Sequence, residues 1–336
     1  MRTLELTNMK QQKNGNRFLI NKYWVIIIAV FCSILWGSAF PVLKVSYSEL
    51  SMSENDLTAK IVFAGIRFMM ASLLLLSIMF FVDRKALKLN WRQLPAIFSL
   101  GLLSTSLQYF FFYNGLAHTS GMKAAILSSS GAFFVVFLAH FVYSDDRLDW
   151  RKIFGLMTGF GGIIIANWGQ DSSLSFSFFG EGFMLLAGLA GAFGTFLSKR
   201  LSAHIHPFAL TGWQMFTGSL FMLIIGTPFL EKNAMTFTPK AWVLLIYAAF
   251  LSAAAFALWT SLLKYNKAGE VSLYKFVVPV AGTFLSALFI PGEHLTIHTF
   301  SALILVAAGI AVVNQKGQGG SFLFKKKRHA YGQVYK

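Results

Sequence analysis

The chain has 336 residues, of which 56% are hydrophobic and only 12% charged, with a formal net charge of +16. A soluble domain usually carries about 25% charged residues, so the composition excludes an ordinary soluble fold and makes length a poor guide to domain count. A single cysteine, Cys32, excludes a disulfide framework or a thiolate metal site within one chain.

Residues 1–23 are a polar, basic tail, and the apolar run after them is of span length without a small-residue cleavage site, so it reads as span 1 and not as a removed signal peptide. Ten spans follow in chain order, at 24–44, 59–82, 93–116, 121–143, 152–168, 180–200, 208–230, 241–263, 271–290 and 299–314, with residues 316–336 as a second basic tail. Most are long enough to cross a hydrocarbon core of about 30 Å as helices. The fifth and tenth are short and would thin the bilayer locally or extend into their flanks.

Polar and aromatic residues inside these runs need partners and supply the candidate cavity walls: Trp36 in span 1, Gln108, Tyr113 and Asn114 in span 3, Ser128, Ser129 and Ser130 in span 4, Trp213 and Gln214 in span 7, and Trp259 in span 8. Arg67 lies about eight residues inside span 2, roughly 12 Å along a helix, and must face protein or water. It either binds an anionic group of a solute or is a scaffold arginine satisfied by neighbouring helices. Lys275, four residues into span 9, either snorkels to the headgroups or faces the cavity mouth beside Tyr274. His140 and Glu270 are the candidates for proton coupling, although a lone histidine in an apolar helix is more often simply hydrogen-bonded. Gly155, Gly159, Gly188 and Gly191 read as close-approach surfaces between helices.

Basic residues set the orientation, because cytoplasmic loops retain positive charge. With the N-terminus inside, 22 of the 29 fall on inner segments, five on outer ones, and two, Arg67 and Lys275, within spans. Both termini are therefore expected in the cytoplasm. The same charge suits anionic headgroups, whereas a nucleic-acid surface would need basic residues interleaved with stacking aromatics, which the KKKR tail lacks.

Two stretches 147 residues apart nearly repeat each other: Gly162, Ile163 and Asn167 recur as Gly309, Ile310 and Asn314. At the same offset Gly65, Ser72 and Leu73 meet Gly212, Ser219 and Leu220, and after a shift of one residue Gly121, Ala139, Phe141 and Asp145 meet Gly269, Ala287, Phe289 and Glu293. A duplicated unit with five crossings places its second copy upside down. The expected fold is thus all-α and integral to the membrane, with ten transmembrane helices in two inverted five-helix repeats, 24–168 and 180–315, that rock about a midplane site.

The segments WGSAFPVLK from Trp36, AGIRF around Arg67, AHTSGMKAAILSSS before span 4 and VVPVAGTFLSALFIPGEHLT in span 9 resemble, taken together, the drug/metabolite transporter superfamily and its ten-helix EamA-type proteins. The resemblance covers about residues 24–315 and implies two inverted halves around a central cavity, alternating access, a bacterial-type inner membrane and export of a small metabolite such as an amino acid. Where the family often has proline, the first half has Gly131 and the second Pro279, so a helix bend is expected at Pro279 alone.

None of the 13 acidic residues lies at a midplane position, so a cavity holding Arg67 should prefer anionic, zwitterionic or neutral solutes. Broad cation efflux is the nearest rival reading, and a non-transporting membrane sensor or assembly component a rival of another class. No phosphate loop is present and His204 and His206 lack a nearby third ligand, so no enzyme activity, cofactor or metal is expected. The expected partners are a small-molecule solute and the lipid bilayer, with a homodimer as an option.

Overall fold

The computed structural model describes residues 18–53, 56–118, 127–166, 177–289 and 297–314. Both tails beyond these limits, and Gly121, Lys123, Asn167 and Glu293 of the repeat and charge patterns, lie outside the described residues. Every regular element among the described residues is helical.

Among the described residues seven helices are long and apolar enough to cross a membrane: α1 (Lys22–Glu49), α2 (Leu57–Val82), α3 (Trp91–Leu116), α6 (Phe178–Ser202), α7 (Pro207–Phe229), α8 (Pro239–Tyr265) and α9 (Ala268–Phe289). Three further α-helices are described, α4 (Ser130–Val142), α5 (Trp150–Ala166) and α10 (Ile297–Asn314), together with a short 3-10 helix over Arg84–Leu87. Local chemistry starts these helices where the apolar runs begin. The Asn21 side chain accepts from Tyr23 N, Asp56 from Ala59 N and Thr238 from Ala241 N, and proline opens α7 and α8. Asn90 and Gln93 close a reciprocal capping box ahead of α3.

Two departures from α geometry bear on the interior. α3 passes through a π segment over Leu102–Leu107, and α9 runs as a 3-10 helix over Leu273–Phe276 just before Pro279. Pro279 has no N–H for the Lys275 carbonyl four residues earlier, which accounts for the irregular turn there. Pro41 is a further proline inside α1.

Packing is closest between α2 and α7 and between α5 and α10, while α1 lies against α8 and α9, and α6 against α3 and α4. Small residues permit this approach. A Cβ on Gly188 of α6 would lie 2.4 Å from Ser130 Oγ and 2.9 Å from Gly131 N of α4, and one on Gly37 of α1 would lie 2.8 Å from Ala281 and Gly282 of α9. The expected contact surfaces at Gly188, Gly191 and Gly159 are all occupied, by α4, Gln108 and Phe276 respectively. The outside of the bundle is apolar, with Phe81 84% and Phe141 69% exposed, whereas serines and threonines such as Ser33, Ser72, Thr211 and Ser252 are fully enclosed. Apolar outside and polar inside is the pattern of a bundle solvated by lipid.

The two ends of the bundle are tied differently. At one, Lys240 pairs with Glu49 at 3.0 Å and Thr236 N donates to Leu50 O, joining the end of α1 to the approach to α8. At the other, Lys199 of α6 donates to Leu263 O at 2.9 Å and to Asn266 O, the last carbonyls of α8. Beside it, Asp146 is enclosed, binding Lys152 Nζ at 2.5 Å and accepting from Gly269 N at 2.8 Å at the start of α9.

Candidate functional site

A cavity of about 180 Å³ lies inside the bundle, lined from α1, α2, α3, α4, α6, α7, α8 and α9 and from the turn before α4. No residue of α5 or α10 reaches it. Its size is below the roughly 300–1,000 Å³ usual for drug-sized ligands.

Among the described residues two cations face this space. Arg67 is 2% exposed, and its guanidinium carbon sits 4.4 Å from the ring centre of Phe68, 5.5 Å from Tyr109 and 6.0 Å from Tyr113. Its Nε and Nη1 have no hydrogen-bond partner among the described residues. Lys275 directs its ammonium at the faces of Trp36, 5.5 Å away, and Trp259, 5.0 Å away. The two indoles meet edge to face at 5.0 Å, and both of their N–H groups are enclosed without a hydrogen-bond partner among the described residues. Phe256 links the two centres, 5.2 Å from Trp36 on one side and 6.3 Å from Phe68 on the other. No aspartate or glutamate is among the described lining residues. Uncharged polar groups complete the wall: Ser104, Gln108, Ser128, Ser129, Thr195, Ser198 and Gln214.

The chemistry of this space is that of a receptor for negative charge. Two of Arg67's nitrogens are without a partner among the described residues, and the apolar part of the wall keeps the local dielectric low, which strengthens any ion pair formed there. Among the described residues no group of three potential metal ligands exists.

One model, that of the EamA-like transporter family, matches the chain twice, over residues 23–168 and again over 178–315. The chain belongs to the EamA-like transporter family. It is similar to an uncharacterized transporter of Archaeoglobus fulgidus, with 24% identity over 88% of this chain and 99% of that one. It is also similar to the uncharacterized transporter YvbV of Bacillus subtilis, with 26% identity over 87% and 92%, and to a chloroplastic WAT1-related protein of Arabidopsis thaliana, with 25% identity over 86% and 67%. A crystal structure sharing 15% identity superposes with a TM-score of 0.70 over 86% of this chain and 96% of the other, which establishes a common fold. The EamA-like chain is a multi-span membrane protein.

Of the residues singled out in the sequence, the EamA-like bundle brings Trp36, Arg67, Gln108, Ser128, Ser129, Gln214, Trp259 and Lys275 to one cavity. Four others do not line it. Tyr113 and Asn114 are enclosed behind it, and the Tyr113 hydroxyl and both Asn114 side-chain polar atoms have no hydrogen-bond partner among the described residues. Trp213 turns away and donates its indole N–H to Leu87 O at 3.3 Å, and Tyr274 is enclosed against α1, where its carbonyl accepts from Ser33 at 3.0 Å.

The coupling candidates also lie elsewhere. His140 Nδ1 accepts from Leu148 N at 3.1 Å and so braces the turn after α4. Glu270 is half-exposed and pairs with Lys267 at 3.4 Å. Tyr143, at the end of α4, lies under Lys199 at 5.8 Å.

Sequence reasoning missed Phe256, Thr195, Ser198 and the glycine edge of α6 as cavity walls. It also missed Asp146 as an enclosed carboxylate. A phenylalanine in a chain with 36 of them carries no signal of its own, and neither does a serine among glycines on a packing face.

Proposed function

We propose that this chain is a secondary transporter of the inner or plasma membrane that exports a small polar solute by alternating access. In this reading all ten helices cross the bilayer, in two inverted five-helix halves with both termini in the cytoplasm. The double match of one family model, the basic bias of the expected inner loops and the packing pairs support it. The pairs α1–α9 and α6–α4, and α1–α8 and α6–α3, exchange under the pairing of first-half with second-half helices, whereas α2–α7 and α5–α10 map onto themselves. A midplane site between the halves is the usual consequence of such a plan.

The single observation that carries the reading is Arg67, enclosed at the centre of an apolar bundle with two nitrogens unpaired and a cavity beside them. A sensor or assembly component has no use for such a space, and efflux of lipophilic cations would have to overcome Arg67 and Lys275 together. The solute is therefore an anionic or zwitterionic metabolite, an amino acid or related compound being the class the family resemblance brings forward.

Counterflow in proteoliposomes with labelled amino acids, organic anions and cationic dyes tests it. Movement of an anionic or zwitterionic solute by the wild type, lost in a folded Arg67→Gln variant, is the expected result. Flux confined to cationic dyes would overturn the solute class, and flux of nothing would overturn transport.

A further inference from the structure

We infer that the transported solute is a small organic acid without a free amino group, and that Lys275 is the residue that selects it over the corresponding amino acid. The inference rests on the transport reading above and narrows its solute class.

The argument starts from charge balance in the cavity. A carboxylate is the natural partner of the unpaired Arg67 nitrogens. With that one pairing made, Lys275 is still there, and no ion pair or hydrogen bond to a described residue involves it, only the faces of Trp36 and Trp259. Counting both cations, a bound monoanion leaves one positive charge in the cavity and a dianion leaves none. A monocarboxylic amino acid leaves two, because its own ammonium brings a further positive charge into a space of about 180 Å³ with no carboxylate among its described lining residues. Like charges at low dielectric repel strongly.

Aromatic faces are the other usual home for an ammonium, and here the best of them are already used. Lys275 occupies Trp36 and Trp259, and Arg67 occupies Phe68, Tyr109 and Tyr113. What remains for the solute is a set of neutral groups, the side-chain amides of Gln108 and Gln214 and the hydroxyl of Ser198, which has no partner among the described residues. These suit an oxo or hydroxyl oxygen next to the carboxylate. The amino group would be the one substituent left without a charged partner.

The test is counterflow in proteoliposomes with pairs that share a carbon skeleton: alanine and pyruvate, leucine and 4-methyl-2-oxopentanoate, phenylalanine and phenylpyruvate, glutamate and 2-oxoglutarate. The wild type is expected to move at least one oxo acid ten-fold or more faster than its amino acid. Lys275→Gln should bring that ratio close to one, Lys275→Arg should keep it, and Lys275→Glu should reverse it. A faster amino acid in the pairs that move, or a ratio unchanged in a folded Lys275→Gln protein, overturns the inference and leaves transport standing. Movement of no pair by correctly folded wild-type protein overturns both. If Lys275→Gln does not fold, the wild-type ratio decides alone.

Discussion

Arg67 has a guanidinium enclosed at the centre of the bundle and two nitrogens unpaired, a state in which a charge costs several kcal/mol of desolvation. Replacing it with glutamine removes that cost along with the charge. Arg67→Gln is expected to keep or raise the apparent melting temperature in detergent while lowering counterflow by about ten-fold or more, the effect of losing one charge-assisted contact of about 1.5–3 kcal/mol. A scaffold role predicts the opposite pair of results, a lower melting temperature with flux retained. The residue was visible in the sequence because an arginine inside an apolar run has few explanations. Its neighbours were less so. At about 100° per residue, Phe112 returns to within roughly 40° of Gln108 on α3, whereas Tyr113 and Asn114 fall more than 100° away and miss the cavity. Which face of a rod looks inward is a tertiary fact, and a polar residue in an apolar run does not reveal it.

Helices in lipid gain little from apolar contact with one another, so close backbone approach carries their association. Gly188 is the clearest case, because its Cβ position is already occupied by Ser130 Oγ and the Gly131 backbone. Gly188→Val should force α6 away from α4 at a cost of about 1–3 kcal/mol, read as a fall in the melting temperature, with Gly161→Val, whose nearest neighbour would be Leu305 at 3.5 Å, as the milder control. Lys199 acts at the end of the same helix. Its ammonium satisfies the last carbonyls of α8, an interaction of about 1–2 kcal/mol at a helix C-terminus. Lys199→Met is expected to speed amide exchange in the segment 262–270 at least several-fold, with the α2–α7 contact unaffected. The apolar runs and the glycines made the helices and their contact faces readable. The Lys199 clasp, the enclosed Asp146 and the π segment of α3 were not, since each depends on where a distant chain end comes to rest.

At the scale of the whole molecule, a cavity whose described lining holds two cations and no acidic residue has an electrical consequence. A solute bound there as an anion carries its charge through the field across the membrane, and no carboxylate among the described lining residues is placed to send a proton with it. A potential negative inside favours outward movement of one negative charge by about 2.3 kcal/mol per 100 mV, roughly a fifty-fold concentration ratio. Expulsion then needs no coupling ion. Proteoliposomes holding a labelled organic acid should release it faster when a potassium–valinomycin gradient makes the lumen negative, and the release should be indifferent to an imposed pH step. The cell's resting voltage would itself be the pump.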